Sequence, residues 1–307
     1  MRAMFRLFVV AGLLATGPAL AGRVAVAQST PAPTVEVLEA GKEPYEQLRL
    51  SPAAGTTQRS VMTVTFAIEQ SGVTSGSVEP PPTKATVETA LQGVTPEGNL
   101  QINFSYPSFE VLKGGEATTA QRRQIQQAFR GLTGLSGQLT ITPQGVVVDS
   151  TLNVPPDLDP SVGSLVAQLG DQLRTLSIPF PEAPVGVGAR WRATTALTLN
   201  GIEANQVYEY TLKKRTGSRV VLGVRGTQSA GRQTVQLENV APGAQLEVRS
   251  YETKFRGENT VELTSLLPVA GDVRSNGKQT FRIQAGDDEG TLRQRVDVRV
   301  AVKPADR

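Results

Sequence analysis

Ser275-Asn276-Gly277-Lys278 is a spacing that fits a nucleophile and its activating base, a serine followed three residues later by a lysine. That chemistry needs the pair on one helical face, a turn apart. Asn-Gly favours the positive φ angles of a tight hairpin instead, so the sequence predicts a turn here and no nucleophile. Asp149-Ser150-Thr151, after Val146-Val147-Val148, offers a carboxylate at a strand end, but carboxylate-pair hydrolysis needs a closing glycine and a second copy. The chain has neither. Asp287-Asp288-Glu289 presents oxygen ligands of the kind calcium takes, at a spacing that matches no calcium loop, and reads as a charged hairpin tip. Gly186-Val187-Gly188 has Trp191 where a dinucleotide loop needs its third glycine. Gly271 to Lys278 is one residue too long for a phosphate loop and is followed by Gln279. The chain has no histidine and no cysteine, which removes the commonest general base, the usual nucleophile triads and the usual transition-metal ligands. The expectation is a protein without catalytic residues, metal or cofactor.

The elements that would position any site read as strands. Met62, Val64, Phe66 and Ile68 alternate with Thr63, Thr65 and Ala67, and the same period of two recurs at Leu100-Ile102-Phe104, Leu139-Ile141 and Leu197-Leu199. Near the end, Leu292, Val296, Val298, Val300 and Val302 share one face, opposite Arg293, Arg295, Asp297, Arg299 and Ala301. Pro143-Gln144-Gly145, Asn200-Gly201, Thr216-Gly217-Ser218, Asn276-Gly277 and Asp287 to Gly290 punctuate these runs as hairpin turns, which makes neighbouring strands antiparallel. Ser71 to Thr83 reads as an exposed loop. Two segments have helical spacing. One lies near 118–132, opened by the capping box Thr118-Thr119-Ala120-Gln121. The other lies near 160–176, opened by Asp159-Pro160 and carrying Val162, Leu165, Val166, Leu169, Leu173 and Leu176 on one stripe. Gly163 and Gly170 leave that second helix in need of a sheet to pack on. No β-α-β alternation appears, so a parallel nucleotide-binding sheet is not expected. The fold class is mainly β: a large curved antiparallel sheet, or half-open β-barrel, packed on two amphipathic helices. Two stacked β domains divided near Pro179 to Pro184 is the alternative.

The first 27 residues have the form of a secretory signal peptide. Arg2 and Arg6 precede an apolar stretch from Leu7 to Leu20, and Ala19-Leu20-Ala21 and Ala25-Val26-Ala27 are small-residue cleavage sites. Cleavage is predicted before Gln28, with Gly22 as the alternative. Gly12, Gly17 and Pro18 interrupt a run already short for a membrane span, and no cysteine is present to carry a lipid anchor. Residues 28–45 read as a flexible tether and 46–303 as a single β-rich domain. Removing Arg2, Arg6 and Arg23 takes the 31 basic residues to 28, against 28 acidic, so the mature chain is neutral overall. A neutral chain gives no electrostatic ground for nucleic acid or an anionic membrane as partner. With no disulfide available, stability rests on a core, and a mature chain of about 280 residues can bury a large one.

Ile178-Pro179-Phe180-Pro181-Glu182, then Val185-Gly186-Val187-Gly188 and Trp191, resembles a family of exported bacterial β-rich proteins of unknown function. Their members carry a proline-rich lead, a Val-Gly-x-Gly-like turn and a tryptophan opening a strand. The Leu48-Arg49-Leu50 strand, the Gly137–Thr151 hairpin, the second helix and the tyrosine-bearing Val207-Tyr208-Glu209-Tyr210 follow in similar order, so the resemblance covers most of residues 46–302. It implies an exported compartment and an architecture similar to periplasmic lipoprotein carriers and related lipid-binding envelope proteins, a half-open barrel cradling helices, and it supplies no catalytic residues to carry over. Trp191 is expected to anchor the core.

These readings converge on a non-enzymatic periplasmic or secreted protein that binds an apolar ligand such as a lipid, or an envelope protein, in the concavity of its sheet. The candidate lining residues are Phe66, Ile102, Phe104, Val166, Leu169, Leu173, Tyr208 and Tyr210. An envelope scaffold acting through sheet edges is the second reading, and a hydrolase using carboxylates the third.

Overall fold

The computed structural model describes residues 32–153, 178–199, 201–236, 245–285 and 288–305. Strands β1 (Thr34–Glu39), β2 (Lys42–Glu46), β3 (Thr57–Gly72), β4 (Gly76–Val78), β5 (Thr83–Val94) and β6 (Leu100–Val111) lead to helix α1 (Thr119–Arg130). Then come β7 (Ser136–Ile141), β8 (Val147–Asn153), β9 (Val185–Val187), β10 (Arg190–Leu199), β11 (Ile202–Thr216) and β12 (Arg219–Ala230). The last are β13 (Gln233–Gln236), β14 (Gln245–Glu262), β15 (Ala270–Ala285) and β16 (Asp288–Pro304). The chain is mainly β, with one helix among the described residues. The signal peptide expected over residues 1–27 and the helix expected near 160–176 lie outside those residues.

One antiparallel sheet of 14 strands holds nearly all of it. Its order is β1-β10-β11-β12-β14-β15-β16-β3-β5-β6-β7-β8, with β13 on β14 and β4 on β3. Two meanders, β3 to β8 and β10 to β16, therefore lie side by side, joined where the final strand pairs with the first long one from Leu292↔Gly72 to Pro304↔Ser60. The sheet is not closed into a barrel, because β1 and β8 end it at opposite margins. A separate pair, β2 and β9, lies beside it.

One buried cluster takes residues from both wings: Leu91, Ile102, Phe104 and Leu139 from one, Trp191, Tyr210, Leu212, Leu222 and Val261 from the other. The two wings are four strands apart in the sheet, so the sheet bends until they share a core. Bulges at Thr86/Glu88, Leu91/Gly93, Leu212/Lys214 and Val248/Ser250 add local bend and twist. Gly257 marks a close approach of β14 to β15, where a Cβ would stand 2.3 Å from the Asp272 carbonyl oxygen.

The segment with the family resemblance links the wings. Phe180 donates its N–H to Gln144 in the β7–β8 turn, and the Trp191 indole Nε1 donates 2.8 Å to the Pro179 carbonyl. Trp191 is fully buried and stacks on Tyr210 with ring centroids 5.6 Å apart. Leu48-Arg49-Leu50, expected as a strand, is instead a connector that bonds to both wings. Leu50 donates to Pro143, Ser51 donates to Leu263, and the Arg49 guanidinium holds the carbonyls of Pro181 and Glu182. The core on both sides of Pro179–Pro184 is continuous.

Two further expectations are corrected. Residues 34–45, expected within a flexible tether, form β1 and all but the last residue of β2. Val35 and Val37 face the core strand β10, opposite Ala193 and Trp191, while Glu36 faces out. Asn276-Gly277, expected as a turn, lies in the middle of β15, where Asn276 is hydrogen-bonded to Asp297 of β16. Two other turns stand where the alternation breaks: Thr216↔Arg219 brackets Gly217 at φ 58°, and Thr142 closes Pro143–Gly145, while Asn200 and Asp287 lie outside the described residues.

Helix α1 begins with the expected capping box: Gln121 N–H donates to Thr118 Oγ1 at 3.2 Å, and Thr118 N–H to Gln121 Oε1 at 2.8 Å. Its Gln126 amide accepts from Val111 N–H and donates to the Phe109 carbonyl, covering the part of β6 that β7 does not reach. Among the described residues no helix is long and apolar enough to cross a membrane.

Candidate functional site

Register places one side-chain row across six strands on the inner, core-bearing face: Tyr208↔Gly226↔Phe255↔Ser275↔Val298↔Phe66. Tyr210-Val224-Gly257-Val273-Val300-Val64 runs beside it, and Gln206-Gln228-Thr253-Gly277-Val296-Ile68 on its other side. Alternation along each strand puts these residues on the inner side, and the arginines between them outside.

Burial divides this face into three zones along the long strands. At one end lies the large cluster around Trp191. At the other lies a smaller one of Ile202, Leu246, Val248, Phe281, Ile283 and Leu292. Between them Val64, Phe66, Ile68, Phe255, Val273, Val296, Val298 and Val300 are only partly buried and belong to neither cluster. Tyr208 borders this band, packing its ring over Gly226 and 5.3 Å from the Phe255 ring. A polar corner sits at the far margin: Gln228 Nε2 donates to Gln206 Oε1 at 3.1 Å, and Tyr251 Oη donates to Gln228 Oε1 at 3.1 Å. Burial without a charged partner pushes the Tyr208 and Tyr210 phenols well above the ordinary tyrosine range and Tyr106 up to about 12.

The candidate lining residues divide along these zones. Phe66 and Tyr208 lie on the half-buried row. Ile102, Phe104 and Tyr210 are sealed in the large cluster, with Phe104 against Tyr106 and Tyr210 against Trp191. Val166, Leu169 and Leu173 lie outside the described residues. The sealed end has a cavity of about 30 Å³ at the seam of the wings, lined by Leu50, Leu139, Ile141, Phe180, Val261 and Leu266 among others. Small-molecule sites occupy about 300–1,000 Å³, so that seam is packing space. The sequence reading missed Phe255 and Val298, although period two along β14 and β16 puts both on the inner face.

No protein-family model matches the chain, and no curated protein matches it. The site is therefore read from its own geometry. Ser275 and Lys278 are an odd number of residues apart on one strand and point to opposite faces, so the serine–lysine pair does not form. Glu289 of the acidic tip is held by Arg282, which keeps its carboxyl below the usual range. Asp149 stands opposite Thr140 as an exposed strand residue. A second hollow, of about 640 Å³, lies on the outer face of β3, β5, β6 and β7. Thr57, Arg59, Glu88, Asn103, Ser105 and Gln138 line it, and the exposed Arg59–Glu88 ion pair of 3.2 Å lies among them. Ala90, Phe104 and Gly137 share the lining, so it is mixed in character, unlike the apolar inner band.

Proposed function

We propose that this chain is a non-enzymatic exported protein, periplasmic or secreted, that binds an apolar ligand of the lipid acyl-chain class on the half-buried band of its inner face. The observation that carries this reading is the row Tyr208-Gly226-Phe255-Ser275-Val298-Phe66. It is apolar or small throughout, incompletely buried, and set between two fully buried clusters. An apolar surface left partly in water beside packed cores is where a hydrophobic ligand gains most from binding. The polar corner of Gln206, Gln228 and Tyr251 offers hydrogen bonds to a head group at one end of that surface. The signal-like first 27 residues and the resemblance of Ile178 to Trp191 to exported, carrier-like proteins support the compartment and the class of ligand. Native mass spectrometry of gently purified mature protein tests it: bound lipid adducts are expected, and a bare chain across several preparations would count against it.

A scaffold that docks an envelope protein is the second reading, favoured by β1, a strand that ends the sheet. Its sign would be a stable complex lost on deletion of Thr34–Glu39.

A further inference from the structure

The outer face carries a charge pattern that the ligand reading does not use. One cross-strand row begins Glu36↔Arg192↔Glu209 and continues Arg225↔Arg256↔Arg274↔Arg299. Its first part is complementary. Arg192 pairs with Glu209 at 2.8 Å and Glu36 at 3.6 Å, and Arg190 joins Glu209 at 3.6 Å. From β12 onward the same row sets four arginines directly opposite one another on four adjacent strands, all exposed. Like charges facing each other across strands destabilise a sheet, so such a row calls for a compensating anion.

The fold supplies only part of one. Asp272 of the flanking row chelates Arg299 through Nε at 3.0 and 3.2 Å and lies 3.8 Å from Arg274. Among the described residues the side chains of Arg225 and Arg256 make no hydrogen bond or ion pair. Nearby acids are committed elsewhere: Glu258 to Lys213 at 2.8 Å, Glu252 to Lys254 at 3.2 Å and Asp297 to Arg295 at 3.2 Å. Two guanidiniums stand ready in water on a face whose other cations are mostly matched.

We infer that Arg225, Arg256, Arg274 and Arg299 form a docking ladder for a linear acidic polysaccharide, one chain wide. Strands are about 4.8 Å apart, so the ladder runs about 14 Å, with free forked donors at Arg225 and Arg256 and partly engaged ones at Arg274 and Arg299, suited to carboxylate or sulfate groups on successive sugar units. The flanking rows select the class. They hold Glu258 and Asp272 on one side and Asp297 on the other, which would repel a broad anionic surface such as a membrane. They place Thr227, Lys254 and Asn276 beside the ladder and no aromatic ring, so single-stranded nucleic acid finds no stacking platform.

The test uses the full mature chain, with polygalacturonate oligomers as probe and dextran as the neutral control. Binding to polygalacturonate and not dextran is expected, falling as salt rises. The Arg225→Gln/Arg256→Gln double variant should bind at least tenfold more weakly, while Arg123→Gln/Arg219→Gln, exposed cations off the ladder, should bind as the parent does. The ladder variant should melt at or above the parental temperature, since it removes opposed charges. Absence of polygalacturonate binding, equal loss in both double variants, or a fall of several degrees on ladder substitution would overturn the inference. So would tighter binding to phosphatidylglycerol vesicles or to oligodeoxythymidylate than to polygalacturonate.

Discussion

The two ends of one sheet face show how the same residue types give different surfaces. Around Trp191 the apolar side chains of both wings meet across a bend, and a connector and a proline-rich strap close over the seam. Three to six strands across the sheet from Trp191, on β14, β15, β16 and β3, the apolar residues of the inner face have the same alternation but no opposite wing within reach. What seals the first region is long-range closure. What leaves the second half-buried is that each strand there meets only its neighbours, with Gly226, Gly257, Ser275 and Gly277 contributing almost no side chain to the face.

The sharpest way to break that contrast is at the sealed end. Trp191→Ala removes a fully buried ring, its stacking on Tyr210 and its bond to Pro179, and should cost about 3–5 kcal/mol in denaturant unfolding. A loss below 1 kcal/mol would mean that the wings do not depend on this seam.

Alkaline titration probes the same end. Burial pushes the Tyr106 phenol up to about 12, whereas an unfolded tyrosine ionises near about 10. The folded chain keeps this proton longer, so its contribution, about 2–3 kcal/mol, is complete below pH of about 10 and is lost as pH rises toward 12. Tyrosinate absorbance from the buried tyrosines should then appear together with unfolding. Ionisation of every tyrosine in a still-folded chain would show that the core admits water.

In the half-buried band the effects shrink. Val298→Ala should cost only about 1 kcal/mol, because the removed methyls already touch water. A cost as large as that at Trp191 would show the band to be ordinary core.

Much of this contrast was legible in the sequence and part was not. Alternation revealed which residues of β3 and β16 share a face, and Thr118 to Gln121 marked the helix start, because both signals are local. The Asn276-Gly277 misreading arose because local turn preference lost to a ladder extending over the 16 residues of β15. The β1 strand was hidden by Pro31 and Pro33 before it, although Val35 and Val37 alternate with Glu36. Which candidates are sealed and which are half-buried depends on the β16–β3 pairing, between residues more than two hundred positions apart, and no local pattern encodes it. The arginine ladder was invisible for the same reason, each member lying on a different strand.

The smallest effect belongs to the outer face. Arg192 holds the Glu209 carboxyl below its usual range, and Arg299 does the same for Asp272. Their stabilisation is present above the unfolded carboxylate range and lost as pH falls through the lowered values, below about pH 4. Both pairs are largely exposed, so the loss should stay within about 1 kcal/mol and fade in high salt. A large acid transition insensitive to salt would point to a buried carboxylate instead.

The most direct measurement is displacement of a fluorescent fatty-acyl probe from the protein, comparing the parent with Phe66→Glu and with Ile102→Ala. Phe66→Glu places a charge on the half-buried row and should abolish probe binding while the fold persists by circular dichroism. Ile102→Ala opens the sealed core and should lower stability with little change in probe affinity. Saturable binding lost only in Phe66→Glu is the predicted result. No saturable binding by the parent, or binding that survives Phe66→Glu unchanged, would contradict the assignment of the band as the ligand face.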